Sequence, residues 1–256
     1  MALSSNIVAD YIVRVAQDLR EYEDVRALVL HINSPGGSVV ASDRIYHALE
    51  NMDRPIVVYM DEIAASGGYY ISMAGDYIVA NPNTLTGSIG VIAVFYNAEG
   101  LMEKIGVEPE VIKAGQAKDM GSIYRALTPA ERAYLEDLLR QVHENFIRVV
   151  AVNRELPTEE VRALADGRIY LASDARDKGL IDQLGYLEDA IQEAGHRANL
   201  EPPYRVVRIR IRTSVLDELL SLSGPSMPMW QRWALEPANW PWQQHPSPVL
   251  LYLWMP

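Results

Sequence analysis

The chain contains no cysteine among its 256 residues. Disulfide bonds, metal sites built on thiolates and a cysteine nucleophile are therefore excluded, although the absence does not identify a cellular compartment. The sequence also predicts no metal site and no cofactor.

Long apolar runs and an excess of basic residues are missing as well. No run approaches the roughly 18 apolar residues that a membrane-spanning helix needs, and the first residues do not resemble a secretory signal peptide. We therefore expect a soluble polypeptide. Lysine and arginine number 23 against 34 aspartates and glutamates, which gives a formal charge of -11. This balance argues against a nucleic-acid partner, because phosphate binding needs a basic surface.

Strand-like and helix-like segments alternate along most of the chain. Short apolar runs typical of buried strands occur at 27–32, 55–60 and 77–80. Apolar residues recur at helical spacing over 7–19, after Ser38 and from Ser66 to Ala74. This order predicts an α/β fold with a parallel sheet covered by helices. Two further apolar segments follow, at 89–95 and 108–112.

A long helix is predicted after Thr128, which can cap it and form a Thr-x-x-Glu capping box with Glu131. Two shorter helices are expected around 159–165 and 173–178. The segment 204–212 alternates in the manner of a half-exposed strand.

Residues 223–256 differ in character from the rest and are called the tail. All five tryptophans and seven of the fifteen prolines lie there, a proline density that argues against regular helix or a central strand. We predict one domain over 1–222 and a non-catalytic tail over 223–256. Its apolar end, 249–254, is expected to pack on its own domain rather than to dock on a separate groove.

Two glycine-rich turns each follow a predicted buried strand, Asn33–Ser38 after the first and the turn around Ser66 after the second. Ligands gather beyond the carboxyl ends of parallel strands, so both turns are expected to face one crevice. The paired glycines of the first turn leave backbone N–H groups unshielded, as an oxyanion site requires. Glycine there also has a purely steric interpretation, and the residues alone leave both open.

Ser66 is a candidate nucleophile because small residues flank it on both sides, with Ala65 before it and Gly67 after it. The alternative is that Ser66 only caps the following helix. The choice depends on a base. None of the five histidines stands in a turn beside glycine or acidic residues, so a histidine base is poorly supported. Lysine can replace histidine as the base when its amine is unprotonated. The lysines after the serine are Lys104, Lys113, Lys118 and Lys178, and composition does not choose among them.

Five motifs occur in a specific order: Leu-Val-Leu-His-Ile-Asn-Ser-Pro-Gly-Gly at 28–37, Ala-Ser-Gly-Gly-Tyr-Tyr at 65–70, Thr-Gly-Ser-Ile-Gly-Val at 86–91, Lys-Asp at 118–119 and Asp-Gly-Arg-Ile-Tyr at 166–170. Together they resemble the signal peptide peptidase A family, peptidase family S49, whose members are Ser/Lys peptidases. The resemblance covers roughly residues 7 to 220 and implies the fold shared by Clp protease and the crotonases.

Site residues follow from the resemblance by position. It implies Ser66 as nucleophile and Lys118 as general base, with the N–H groups of Gly37 and Gly67 as oxyanion donors. Gly36 is an alternative to Gly37. Ser88 matches a hydroxyl that helps to hold the lysine, and it has an equally open interpretation as a turn hydroxyl bonded to local backbone.

The resemblance also implies hydrophobic peptide substrates, such as cleaved signal peptides, and a homo-oligomer in which sites are completed between subunits. Membrane-bound members carry an amino-terminal anchor that this sequence does not show, so any membrane association is not encoded in it. Two other interpretations remain open. One is a crotonase-like acyl-CoA enzyme, which would rely on a carboxylate such as Glu62. The other is a non-catalytic scaffold subunit of the same fold.

Overall fold

Two buried parallel strands form the centre of the sheet in the computed structural model, which describes residues 2–210 and 249–255. They are β1 (Val25–Ser34) and β2 (Ile56–Ala65). Leu28 lies opposite Ile56, and the register continues to Ile32 opposite Met60 before a bulge precedes Ser34. The predicted strands at 27–32 and 55–60 are therefore confirmed, and each runs further towards its glycine turn than the apolar run suggests.

Among the described residues, six more strands belong to this sheet: β3 (Tyr77–Ala80), β4 (Leu85–Gly87), β5 (Ile169–Leu171), β6 (Gln183–Leu184), β7 (Arg205–Arg210) and β8 (Val249–Met255). The order is β5-β4-β2-β1-β8-β7, and β3 pairs with β2 and with β6. Strand β4 is parallel to β2 and antiparallel to β5. The structure confirms the predicted α/β fold with a mainly parallel sheet.

Helices cover both faces of this sheet with their buried residues: α1 (Ala2–Arg20), α2 (Val39–Glu50), α3 (Gly67–Ser72), α5 (Pro129–Asn153), α6 (Thr158–Leu164), α7 (Ala172–Asp177) and α8 (Leu187–Arg197). A further helix, α4 (Glu99–Ile105), has no buried residues and lies away from the sheet. Side chains alternate along a strand, so Leu28 and Leu30 face the layer that contains α1, α2 and α5. Val29 faces the opposite layer, where Ala190 and Ala194 of α8 pack.

The start of α5 follows the predicted capping box. Thr128 Oγ1 accepts the Glu131 N–H at 3.2 Å, and Glu131 Oε2 accepts the Thr128 N–H at 2.9 Å. The first half of α5, however, is more exposed than the second half. Leu138 in the first half is 40% exposed, whereas Phe146 in the second half is 6% exposed. The helix therefore packs on the domain mainly through its carboxyl-terminal half.

The end of the tail differs from its expected structure. Val249–Met255 forms β8 between β1 and β7, parallel to both. A central strand can form there because this stretch contains no proline, although the rest of the tail is rich in it. The boundary at 222/223 stays a prediction, because residues 211–248 lie outside the described residues.

Residues 91–125, here called the arm, leave the sheet and contain no strand. The Ala98 N–H donates to the Ile123 carbonyl at 2.6 Å, and a Cβ at Gly121 would lie 2.7 Å from the Phe95 ring. The arm therefore folds back on itself. Its apolar side chains face outward, with Ile92 84% and Ile112 93% exposed. The apolar segments at 89–95 and 108–112 thus lie mostly outside the domain core.

No helix among the described residues combines the length and the apolar content needed to cross a membrane.

Candidate active site

The two glycine turns are in contact at the carboxyl ends of β1 and β2. Gly36 has φ +109°, and a Cβ on it would lie 2.8 Å from both Gly67 N and Ser66 Cβ. A Cβ on Gly67 would overlap Ser42 Oγ and lie 3.2 Å from Gly37 N. The absence of side chains at these glycines is therefore what allows the turns to meet. The shared crevice expected from the strand directions is present.

Ser66 lies at a strained backbone position between β2 and α3. Its φ of 52° and ψ of -119° are unusual for a residue with a Cβ, and such a conformation costs on the order of 1–3 kcal/mol. The Ser66 N–H donates to the Gly87 carbonyl at 2.9 Å, which fixes the turn against β4. Ser66 stands at the N-cap of α3, but its side chain makes no capping hydrogen bond. The hydroxyl is therefore not used in the way that the capping interpretation requires.

The backbone N–H groups beside Ser66 differ in availability. The Gly36 N–H donates to Ser34 Oγ at 3.3 Å. The N–H groups of Gly37 and Gly67 find no acceptor among the described residues. Of the two donors considered for the first turn, Gly37 is thus better suited than Gly36 to bind an oxyanion.

Ser88 lies next to the Ser66 turn, because Gly87 accepts the hydrogen bond from Ser66. Its φ is 49°, and its N–H donates to the Arg168 carbonyl at 2.9 Å. Within the described part of the chain, the Ser88 hydroxyl has no hydrogen-bond partner. The side chain is therefore available for a role beyond the local turn.

Lys118 is placed apart from these groups. It lies in the arm, its side chain is exposed, and its backbone N–H donates to the Gly115 carbonyl at 3.2 Å. No hydrogen bond links Lys118 to Ser66 within the described residues. In the single chain Lys118 is therefore not buried at the crevice, since the arm extends away from the sheet.

One histidine has an acidic partner that the sequence does not reveal. His31 Nε2 lies 2.9 Å from Asp61 Oδ2, so this histidine does have an acidic partner. The two residues lie on neighbouring strands, and only the register brings them together. Burial lowers the pKa of His31, against the opposing effect of Asp61. His31 is 7% exposed and its ring also packs edge-on against Tyr59, so it is a buried histidine with a hydrogen-bond partner.

Two supporting residues were not identified from the sequence. Ser42 lies under Gly67, and its Oγ donates to the Ser38 carbonyl at 3.1 Å. Tyr70 OH donates to Asp43 Oδ1 at 2.8 Å and joins α3 to α2. Burial first, and then this hydrogen bond, raise the pKa of Tyr70 well above its usual value. The available signals were the position of Ser42, four residues after Ser38, and the Tyr-Tyr pair after the second glycine turn. Glu62, the carboxylate of the crotonase-like interpretation, is exposed at the end of β2.

Replacing Gly67 with alanine is expected to lower the free energy of unfolding by about 1–3 kcal/mol, as overpacking typically does. The reason is the overlap of the new Cβ with Ser42 Oγ. Adding Ser42→Ala should recover part of the loss in a denaturant titration, because it removes that oxygen. Gly100→Ala is the matched control, since a Cβ there meets nothing within 4 Å, and it should stabilise α4 by about 0.5–1 kcal/mol. Equal effects of the two alanines would contradict the packing described here.

The sequence matches the family described as "Peptidase family S49" over residues 48–201 and the family described as "Clp protease" over residues 4–88. A relative from Methanocaldococcus jannaschii is 38% identical over 197 residues, which cover 76% of this chain and 63% of the relative. The Arabidopsis thaliana protein named "Serine protease SPPA, chloroplastic" is 34% identical over 228 residues, which cover 87% of this chain and 34% of that protein.

A solved structure supports the fold. A ClpP1 mutant from Listeria monocytogenes matches with a TM-score of 0.50 at 17% identity, over 72% of this chain and 88% of the other. The chain spans 63% of the length of the Methanocaldococcus relative and a smaller share of the Arabidopsis one. The family match covers more than half of the chain, and it includes the turn at Ser66 and the arm. The chain therefore belongs to peptidase family S49.

Proposed function

We propose that this chain is a serine endopeptidase in which Ser66 is the nucleophile and Lys118 of a neighbouring copy is the general base. The observation that carries the proposal is the Ser66 turn. It holds a serine in a strained conformation with an unengaged hydroxyl, beside N–H groups of Gly37 and Gly67 that find no acceptor among the described residues. Strain and unsatisfied donors of this kind are typical of functional sites.

The position of Lys118 supports a site that is completed between copies. The arm that carries it exposes apolar side chains, as does the first half of α5. Exposed apolar surface of this extent is typical of subunit interfaces. A second copy packed on the arm would remove Lys118 from water, and desolvation favours the unprotonated amine that a general base requires. The proposed partner is therefore another copy of the same chain.

The reaction would proceed in two balanced stages. Lys118 Nζ takes the proton from Ser66 Oγ as the oxygen attacks the peptide carbonyl, and the resulting oxyanion accepts hydrogen bonds from Gly37 and Gly67. Each such donor is worth roughly 3–4 kcal/mol in comparable sites. The C–N bond then breaks, and Lys118 returns the proton to the leaving amine. Water attacks the acyl-enzyme with Lys118 again as base, which releases the carboxylic acid and restores Ser66.

Apolar peptides are the proposed substrates. Val39 and Val40 follow the Gly37 turn directly, and they are 50% and 64% exposed. Apolar side chains beside an oxyanion site favour apolar residues in the bound peptide, because binding buries both surfaces. The Ser88 hydroxyl lies at the same edge of the sheet and is proposed to hold the lysine amine in place.

The substrate class can be tested with two peptides of equal length, one apolar and one with alternate residues changed to lysine and glutamate. We expect kcat/KM to be higher for the apolar peptide by about tenfold or more. Val40→Ser should reduce this ratio, and Val152→Ser, a change of a similarly exposed valine on α5, should leave it unchanged. Equal turnover of the two peptides would contradict the proposed preference while leaving the peptidase assignment intact.

A further inference from the structure

The loop that carries Lys118 is held by a network of ion pairs. Asp119 Oδ1 lies 2.6 Å from Lys113 Nζ and 2.9 Å from Arg125 Nη2, and Arg125 Nε donates to Asp119 Oδ2 at 3.0 Å. Arg125 also reaches Glu131, with Nη2–Oε1 at 2.6 Å and Nη1–Oε2 at 2.8 Å. One guanidinium thus bridges two carboxylates through four hydrogen bonds, a geometry that lysine could not reproduce.

Asp119, Glu131 and Arg125 are less exposed than most of the arm, whereas Lys113 at the edge of the network is 35% exposed. The side chains of Asp119, Glu131 and Arg125 are 8%, 14% and 24% exposed. Hydrogen bonds from Arg125 first, and then from Lys113, hold the pKa of the Asp119 carboxyl well below its usual range. Arg125 and the Thr128 backbone lower the pKa of Glu131 to about 2. Both carboxylates therefore stay ionised at neutral pH.

The network connects the Lys118 loop to a rigid element. Glu131 is the capping-box residue of α5, so the same carboxylate that binds Arg125 also accepts the Thr128 N–H. Arg125 consequently fixes the loop to the beginning of the long helix. Few backbone hydrogen bonds otherwise restrain residues 113–122, where turns replace regular structure.

The charges of the network have a second consequence for Lys118. An unpaired carboxylate beside an amine favours the protonated amine, which cannot act as a base. Asp119 is the next residue after Lys118, yet its side chain is engaged by two cations. The charged groups around the loop are Lys113 and Asp119 within it, Arg125 just after it, Glu131 on α5 and Glu99 on α4, whose Oε2 accepts the Ala126 N–H.

We propose that Arg125 is a positioning residue for the general base, which fixes the Lys118 loop to α5 and keeps Asp119 from pairing with Lys118. The inference rests on the proposed function, since it assigns a task only if Lys118 is the base. Arg125 touches neither substrate nor Ser66, and it acts through the loop.

The test is the pH dependence of kcat/KM on an apolar peptide. In Arg125→Met, Asp119 loses its main partner, so the midpoint of the rise in rate with pH should move up by about half a pH unit or more. The maximum rate should fall about tenfold or more because the loop is less well held. Arg125→Lys should return the midpoint towards the wild-type position without restoring the full rate.

Asp119→Asn is expected to move the midpoint of the pH profile in the opposite direction. Removing the carboxylate leaves an excess of positive charge near Lys118, and the midpoint should move down. The double variant Asp119→Asn/Arg125→Met should lie between the two single variants. Arg140→Met, which breaks an exposed ion pair with Asp137 on α5, is the matched control and should change neither the midpoint nor the rate.

The outcomes separate this inference from the proposed function. If the wild type cleaves the peptide and Lys118→Ala does not, but the Arg125 and Asp119 variants keep the wild-type midpoint, the positioning role is overturned and the dyad stands. If Lys118→Ala retains full turnover, the proposed base itself is wrong. If Arg125→Met does not fold, Arg125→Lys decides the matter, because a rate as high as that of the wild type in this variant would overturn the positioning role.

Discussion

Replacing Ser66 with alanine is expected to lower kcat/KM for an apolar peptide by about 10⁴-fold or more, because loss of the nucleophile leaves only oxyanion binding and substrate positioning. The fold should persist. Alanine accepts the positive φ of this position no worse than serine does, and the Ser66 side chain makes no capping bond that alanine would remove. Steady-state kinetics together with a thermal unfolding curve would check both statements.

Ser173→Ala is the matched control for this substitution. Ser173 lies in α7, in the part of the chain that follows the arm and α6. The Ser173→Ala substitution should leave both turnover and melting temperature close to those of the wild type. A Ser66→Ala variant that keeps more than a tenth of the wild-type turnover would remove Ser66 from the mechanism.

Replacing Lys118 with alanine should have an effect of similar size, and the two inactive variants should complement each other. If Ser66 and Lys118 of one site come from different copies, a Lys118→Ala subunit still offers Ser66 and a Ser66→Ala subunit still offers Lys118. An equal mixture that reassembles at random should therefore recover about a quarter of the wild-type activity, since each site needs both intact residues. Activity after mixing, followed together with the molar mass in solution, measures this.

The same experiment distinguishes the alternatives. If the dyad forms within one chain, the mixture stays as inactive as its components. Lys104→Ala, which removes another exposed lysine from the arm, should remain active by itself. Recovery in a mixture that stays monomeric would contradict assembly as the reason for complementation.

Much of the sheet could be predicted because short stretches of sequence are enough to identify its central strands. The runs that became β1, β2 and β3 are apolar on both faces, and Thr128 with Glu131 marks the beginning of α5. The contact between the glycine turns was also predictable, since neighbouring parallel strands end at the same edge.

Other features depend on partners that are distant in sequence. The His31–Asp61 pair requires the register of β1 against β2, and β8 enters the sheet beside β1 from more than 200 residues away. The short strands β4, β5 and β6 have only two or three residues each, too few for a periodic pattern. These elements are defined by tertiary contacts rather than by local sequence.

The candidate site also combines features that local sequence reveals with features that depend on distant contacts. The small neighbours of Ser66 signal a reachable hydroxyl, and the structure adds the strained backbone that the residue types alone do not reveal. Lys118 could not be selected by chemistry because it is one exposed lysine among several, and its proposed environment belongs to an assembly of chains. The network around Asp119 and Arg125 was missed for a different reason, since these residues stand in an irregular loop without periodicity.

The most direct measurement of the central claim is peptide mapping by mass spectrometry after treatment of the wild type with a fluorophosphonate, which reacts with activated serines. We expect a single adduct on Ser66, with labelling much slower in Lys118→Ala and unchanged in Ser173→Ala. An adduct on another serine, or a folded and assembled protein that shows no adduct at all, would overturn the assignment of Ser66 as the nucleophile.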